Sequence, residues 1–245
     1  MNSAPIKVLI ADADASVRCC LRTSLAMHGY LVDEARTGEE AVQYAGQRKP
    51  DLVLLDMRIP GKGALAVCRR LRASVPQAGL VMIAGSDNED EKVQALDDGA
   101  DDYILKPLGA RELIARLRAI ARRRLTEAPE EPVLRAGDLE LNTQYRTLRK
   151  GGVPVRLSPT EFDLLSHLMR HAGAPVEHGP LLRAIWGPEY GSELEYLRTY
   201  MKRLRQKIER DPVRPEYLIT VPWLGYSFCM PAECGGAAAA AHQSS

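Results

Sequence analysis

The chain has no apolar run approaching the ~18 residues that a membrane-spanning helix requires, and no signal-peptide core. A soluble, cytoplasmic protein with no membrane partner is therefore expected. Its five cysteines (Cys19, Cys20, Cys68, Cys229 and Cys234) are odd in number and lack metal-ligand spacing. That suits a reducing compartment better than a disulfide framework. No internal repeat is present, which excludes a solenoid. Nor is there a large excess of either charge: the net value is +1, so bulk charge identifies no partner.

What is present is enough for two cores. The chain has 245 residues, 45% of them hydrophobic, which fits two domains better than one. The charge divides unevenly. Residues 133–231 hold 14 Lys/Arg against 11 Asp/Glu, a balance of +3, and residues 1–132 hold 19 against 20, a balance of −1.

The segment Glu193–Glu209 (ELEYLRTYMKRLRQKIE) contains neither Gly nor Pro. Leu194, Leu197, Met201, Leu204 and Ile208 recur at helical spacing and form one apolar stripe. Arg198, Lys202 and Arg205 follow the same spacing on another face, beside Thr199, Arg203 and Gln206. Such a face suits phosphate oxygens and guanine edges in a major groove, and taken alone it equally suits an ordinary amphipathic surface helix.

In residues 6–125, short apolar runs alternate with helical segments. Strands are expected at Ile6–Ala11, Leu31–Ala35, Asp51–Leu55, Leu80–Ala84 and Asp102–Leu105. Helices are expected at Ser16–His28, Gly38–Arg48, Ala64–Arg72, Asp87–Asp98 and Ala110–Leu125. This alternation predicts an α/β domain with a parallel sheet, whose chemistry gathers beyond the carboxyl ends of the strands. Three strands deliver Asp12, Asp56 and Lys106 to that edge. A carboxylate facing a lysine and a second acid suits a hard cation and a phosphoryl group.

DLVLLDMRIPG, GADDYILKPL and the acidic turn after the first strand resemble the receiver domain of bacterial response regulators. The resemblance makes Asp56 the phospho-acceptor, Lys106 the phosphate-pocket lysine, and Asp12 and Asp56 the metal-pocket acids. Two departures stand out. The direct Mg²⁺ ligand position is Ala13, with Asp14 one residue along, and the switch hydroxyl position is Ala84. Alanine offers neither a metal ligand nor a hydrogen-bond donor, so Mg²⁺ binding is expected to be weak and phosphorylation a poor switch. The family's dimer face maps onto Lys92 with Glu112, Asp102 with Arg116, and Asp101 with Arg123, all of matching sign.

Residues 126–132 (TEAPEEP) read as a linker, and residues 232–245 as a flexible tail. Between them, residues 133–231 read as a small antiparallel sheet, then three helices and a hairpin at Tyr217–Met230. LSPTEFDLL, LLRAIWG, YLRTYMKRLRQKIE and GYSF resemble the effector domain of the OmpR/PhoB family, and WGPEY with LRQKIERDPVRP resembles its KdpE-type regulators of potassium-transport genes. The resemblance implies a five-stranded doubly wound receiver followed by a winged helix-turn-helix domain. Arg198, Thr199, Lys202, Arg203 and Arg205 become the DNA-contact candidates, with Arg203 placed either there or over helix-end carboxylates. Trp186 is assigned to the core, and Trp223, at the hairpin tip, either wedges against a backbone or covers the wing.

The implied partners are double-stranded DNA at tandem half-sites, a second copy of the chain, and RNA polymerase through Gly187–Ser192. For control, one reading has a sensor histidine kinase phosphorylating Asp56. The other has a phosphorylation-independent dimer answering a small ligand or partner protein.

Overall fold

A computed structural model describes residues 5–107, 109–125, 133–188, 190–191 and 193–230, with the side chains of 122–125 outside it. The chain divides into two compact units after Leu125. The expected linker, 126–132, and tail, 232–245, lie outside the described residues. No described helix is long and apolar enough to cross a membrane.

The first unit alternates β1 (Lys7–Ala11), α1 (Ala15–Met27), β2 (Leu31–Ala35), α2 (Gly38–Arg48), β3 (Leu52–Asp56), α3 (Ala64–Ser74), β4 (Gly79–Ala84), α4 (Glu89–Asp97), β5 (Asp102–Leu105) and α5 (Ala110–Leu125). The strands are all parallel, in the order β2-β1-β3-β4-β5. Their aliphatic runs are buried because helices cover both faces. Val8, Ile10, Leu52, Leu54, Val81, Ile83 and Ile104 pack with Leu21 and Leu25 of α1 and Leu113 and Leu117 of α5. The strand order reverses between β1 and β3, which opens a crevice at their carboxyl ends.

The second unit begins with an antiparallel sheet of β6 (Val133–Ala136), β7 (Leu139–Asn142), β8 (Thr147–Lys150) and β9 (Val153–Val155). Next come α6 (Pro159–Arg170), β10 (Pro175–Glu177), α7 (His178–Trp186), α8 (Leu194–Ile208), β11 (Leu218–Val221) and β12 (Gly225–Phe228). Ser158 and Glu161 close a reciprocal capping box on α6, with Pro159 in its first turn. Trp186 is buried in the core, its ring 5.6 Å from Tyr196 and 5.3 Å from Tyr200. The expected hairpin is a three-stranded sheet, β10-β12-β11. β10 escapes periodicity because three residues that include a proline carry no alternation.

Candidate functional site

Asp12, Asp56 and Lys106 meet at the crevice beyond β1 and β3, joined through the end of β5. Each carboxylate is satisfied twice. Asp56 accepts the Arg58 backbone N–H on Oδ1 at 2.7 Å and the Lys106 ammonium on Oδ2. Asp12 accepts the Asp14 N–H on Oδ1 at 2.8 Å and the same ammonium on Oδ2 at 3.1 Å. Burial works against the charge on Lys106, but the hydrogen bonds to Asp56 and Asp12 outweigh it and the pKa is raised.

The rest of the pocket lacks what a Mg²⁺ site needs. Ala13 presents no ligand atom. Asp14 does not replace it, because its carboxylate caps α1, accepting from the N–H groups of Ser16 (2.7 Å) and Val17 (3.4 Å). Those bonds hold its pKa below the usual carboxylate value. Arg18, buried on the same face of α1 as Leu21 and Leu25, donates to the carbonyls of Asp12 (2.8 Å) and Ala13 (2.9 Å) and pairs with Glu34 at 3.0 Å. A guanidinium thus lies against the loop that would hold the cation. Among the described residues, no group of three or more His, Cys, Asp or Glu is placed to hold a metal ion. Asp12 and Asp56 are then the carboxylates at this edge that could take a cation, both already held by Lys106. Ala84, at the end of β4, is buried and puts a methyl group where a hydroxyl was expected.

In the second unit α8 is buried more widely than its leucine stripe predicts. Tyr196, Leu197, Thr199, Tyr200, Met201, Leu204 and Ile208 all lie inside. Thr199, only 6% exposed, lies among these packed residues. Arg203 pairs with the fully buried Glu161 at 3.0 Å and lies over the Tyr200 ring at 5.2 Å. That is the helix-end carboxylate its position off the cationic line allowed, and Lys207 joins it on Glu161. Arg205 is turned to the wing, donating to the Leu218 carbonyl (2.6 and 3.0 Å) and to Thr220 Oγ1 (2.8 Å). Arg198, Lys202 and Gln206 remain exposed, one helical turn apart on a single line. Gln206 belongs to the candidate interface, and its four-residue step from Lys202 was the signal for it.

Residues 8–118 match the model of the response regulator receiver domain, and residues 152–228 match that of the C-terminal domain of transcriptional regulatory proteins. The transcriptional regulatory protein KdpE of Mycobacterium tuberculosis is 40% identical over 222 residues, covering 90% of this chain and 98% of that protein. The KDP operon regulatory protein KdpE of Escherichia coli is 38% identical over 225 residues, 91% and 99% of the two chains. The crystal structure of DrrB, an OmpR/PhoB homolog from Thermotoga maritima, aligns with a TM-score of 0.50 and 26% identity, covering 92% of this chain and all of that one. The chain is a response regulator of the OmpR/PhoB family. Its first unit is the receiver, its second the winged-helix DNA-binding domain, and it acts as a transcriptional regulator.

Asp101, Asp102, Glu112 and Arg116, expected on a dimer face, engage their own chain. Asp101 is fully buried, held by Arg72 Nη2 at 2.5 Å and by the Leu80 N–H at 2.9 Å. Just before β5, its carboxylate accepts from the Leu80 N–H of the neighbouring strand. Asp102, also buried, meets Arg116 at 3.4 Å, and Arg116 meets Glu112 at 2.7 Å, all within one chain. Lys92 is half-buried on α4, and the side chain of Arg123 lies outside the described residues. In the segment 187–192, residues 189 and 192 lie outside them as well, and Tyr190 is buried against Tyr196.

Proposed function

We propose that this response regulator works chiefly through a receiver that pairs two copies of the chain, with phosphorylation control at Asp56 weak or absent. The observation that carries this reading is the closed state of the pocket. Lys106 serves both carboxylates, Asp14 is spent on a helix cap, and positions 13 and 84 are alanines. Mg²⁺ would have to compete with the Lys106 ammonium for two carboxylates, so we assign it weak binding. We assign the chain no turnover chemistry of its own.

The copies pair about a two-fold axis through α4, β5 and α5, with Lys92 facing Glu112 across it. Asp102 and Arg116 keep that face in shape from within each chain. In the DNA-binding domain, Arg198, Lys202 and Gln206 enter the major groove, and the target is two tandem half-sites about one helical turn apart. The 187–192 segment contacts RNA polymerase, and the protein works in the cytoplasm.

The convergence of Asp12, Asp56 and Lys106 supports a second reading, in which a sensor histidine kinase phosphorylates Asp56 and so favours the dimer. Fluorescence anisotropy on the native upstream DNA separates the two, at fixed salt because the backbone term moves affinity by orders of magnitude. Wild type and Asp56→Ala are compared with and without acetyl phosphate and Mg²⁺. Equal, tight binding in all four conditions is expected. Tightening confined to wild type with the phosphodonor would establish the second reading.

A further inference from the structure

The tip of the wing, Val221-Pro222-Trp223-Leu224, holds an aromatic ring in an unfavourable place. Trp223 is 102% exposed, and Leu224 beside it is partly exposed. Its φ is +67°, in the left-handed region that disfavours any residue with a side chain. An indole left wholly in water on such a backbone gains nothing from the fold of its own chain. The same turn carries no Lys or Arg, so it has no charge with which to hold a phosphate.

The platform beneath it is stiff. The Leu224 N–H donates to the Val221 carbonyl and the His178 N–H to the Leu224 carbonyl, both at 3.2 Å. Gly225 pairs so closely with β10 that a Cβ would lie 1.9 Å from the Val176 carbonyl oxygen. Arg205 ties α8 to β11. Burial raises the pKa of the Tyr226 phenol on β12, and the nearby charges of Arg205 and Arg198 oppose it. The wing therefore holds a set position beside the helix that bears Arg198 and Lys202.

Resting on the DNA-binding reading above, we infer that Trp223 is an aromatic wedge for the minor groove flanking the major groove that α8 enters. Driven between two bases, the ring would partly unstack them and kink the duplex. That cost is least at flexible pyrimidine–purine steps, so the wing would select sequence through deformability rather than hydrogen bonds. With no cation at the tip, this contact would release no counterions and would leave the salt dependence of binding unchanged.

The full-length protein supplies its own probe, because Trp186 is buried and Trp223 is exposed. Titration with the native upstream duplex at fixed salt should shift the exposed tryptophan's emission and shield it from acrylamide. Trp223→Ala should weaken binding roughly tenfold, the scale of one lost base–aromatic stack, with an unchanged slope against log salt and a smaller DNA bend by end-to-end energy transfer. Trp223→Gly, which suits the left-handed backbone, should lose the same affinity and so rules out a distorted turn as the cause. Trp223→Phe should retain most of it.

A Trp223 that stays fully quenchable on bound DNA, with Trp223→Ala binding and bending as wild type, would overturn the wedge. Shielding that appears only with RNA polymerase would overturn it also, in favour of a protein contact. Failure of the DNA-binding reading looks different: wild type would not bind the duplex, and Arg198→Ala would change nothing.

Discussion

In the receiver one lysine serves two carboxylates, Asp12 and Asp56; in the DNA-binding domain two cations, Arg203 and Lys207, serve one carboxylate, Glu161. Both clusters are drawn from similar chemistry, yet their positions set them apart. The first sits at the strand ends of a crevice, with each carboxylate also bonded to a backbone N–H, so it survives the loss of one member. The second joins the start of α6 to the end of α8 around a fully buried acid that both cations share. A cluster at a sheet edge is a site that can be opened. A cluster sealed between two helices is a rivet.

The strongest test of this contrast removes one acid from each cluster. Glu161→Ala removes the buried acid that Arg203 and Lys207 share and should cost about 3 kcal/mol, the lower end for a broken buried pair because Lys207 is partly exposed. Asp12→Ala leaves Lys106 still paired with Asp56 and should cost clearly less. Denaturant unfolding followed by probes of each domain reads both, and equal costs would break the distinction.

A second test separates cations that face DNA from cations that hold the domain. Arg198→Ala should lose roughly 1–3 kcal/mol of DNA binding with unfolding unchanged. Arg205→Ala should instead lower stability by about 1.5–3 kcal/mol, the worth of charged hydrogen bonds, and weaken DNA binding only through the loosened wing. Similar effects of the two on unfolding would return Arg205 to the interface.

The smallest effect expected is at Tyr217, whose hydroxyl donates to Asp138 at 2.6 Å. Burial, and then that hydrogen bond, pushes its pKa from 10.0 up to about 12. Below pH 10 the phenol is protonated whether the chain is folded or not, and its contribution is whole. Above that the unfolded chain ionises first, so the contribution is lost as pH rises through about 12. Tyr217→Phe should cost about 1 kcal/mol at neutral pH and lack this alkaline decline, as measured by denaturant unfolding across pH 8–11.

Much of this was legible in the residues themselves. Continuous aliphatic runs ending in Asp12 and Asp56 marked strands whose ends build a site, and the helix at 194–208 announced itself by its stripe. The capping box at Ser158 and Glu161 was readable as a helix start, but not that Glu161 would also anchor α8. Thr199 is buried because Tyr196 and Tyr200 widen the buried face, and a polar residue between tyrosines gives no sign of it. The partner of Asp101, Arg72, stands 29 residues away on α3, beyond any local pattern. Arg18 left a trace, a cation in line with Leu21 and Leu25, that points to a buried charge without naming its partners.

Ala13 and Ala84 are facts of the sequence: no fold can supply an oxygen that the side chains lack. The order of strands and helices is likewise written locally, in hydrophobic period and capping residues. Only the tertiary structure decided where Asp14 spends its carboxylate, which of the cationic or polar positions on α8 face outward, and that Trp223 lies exposed. Those outcomes turn on which groups reach a partner first across distances of many residues, and a one-dimensional pattern holds no record of such competition.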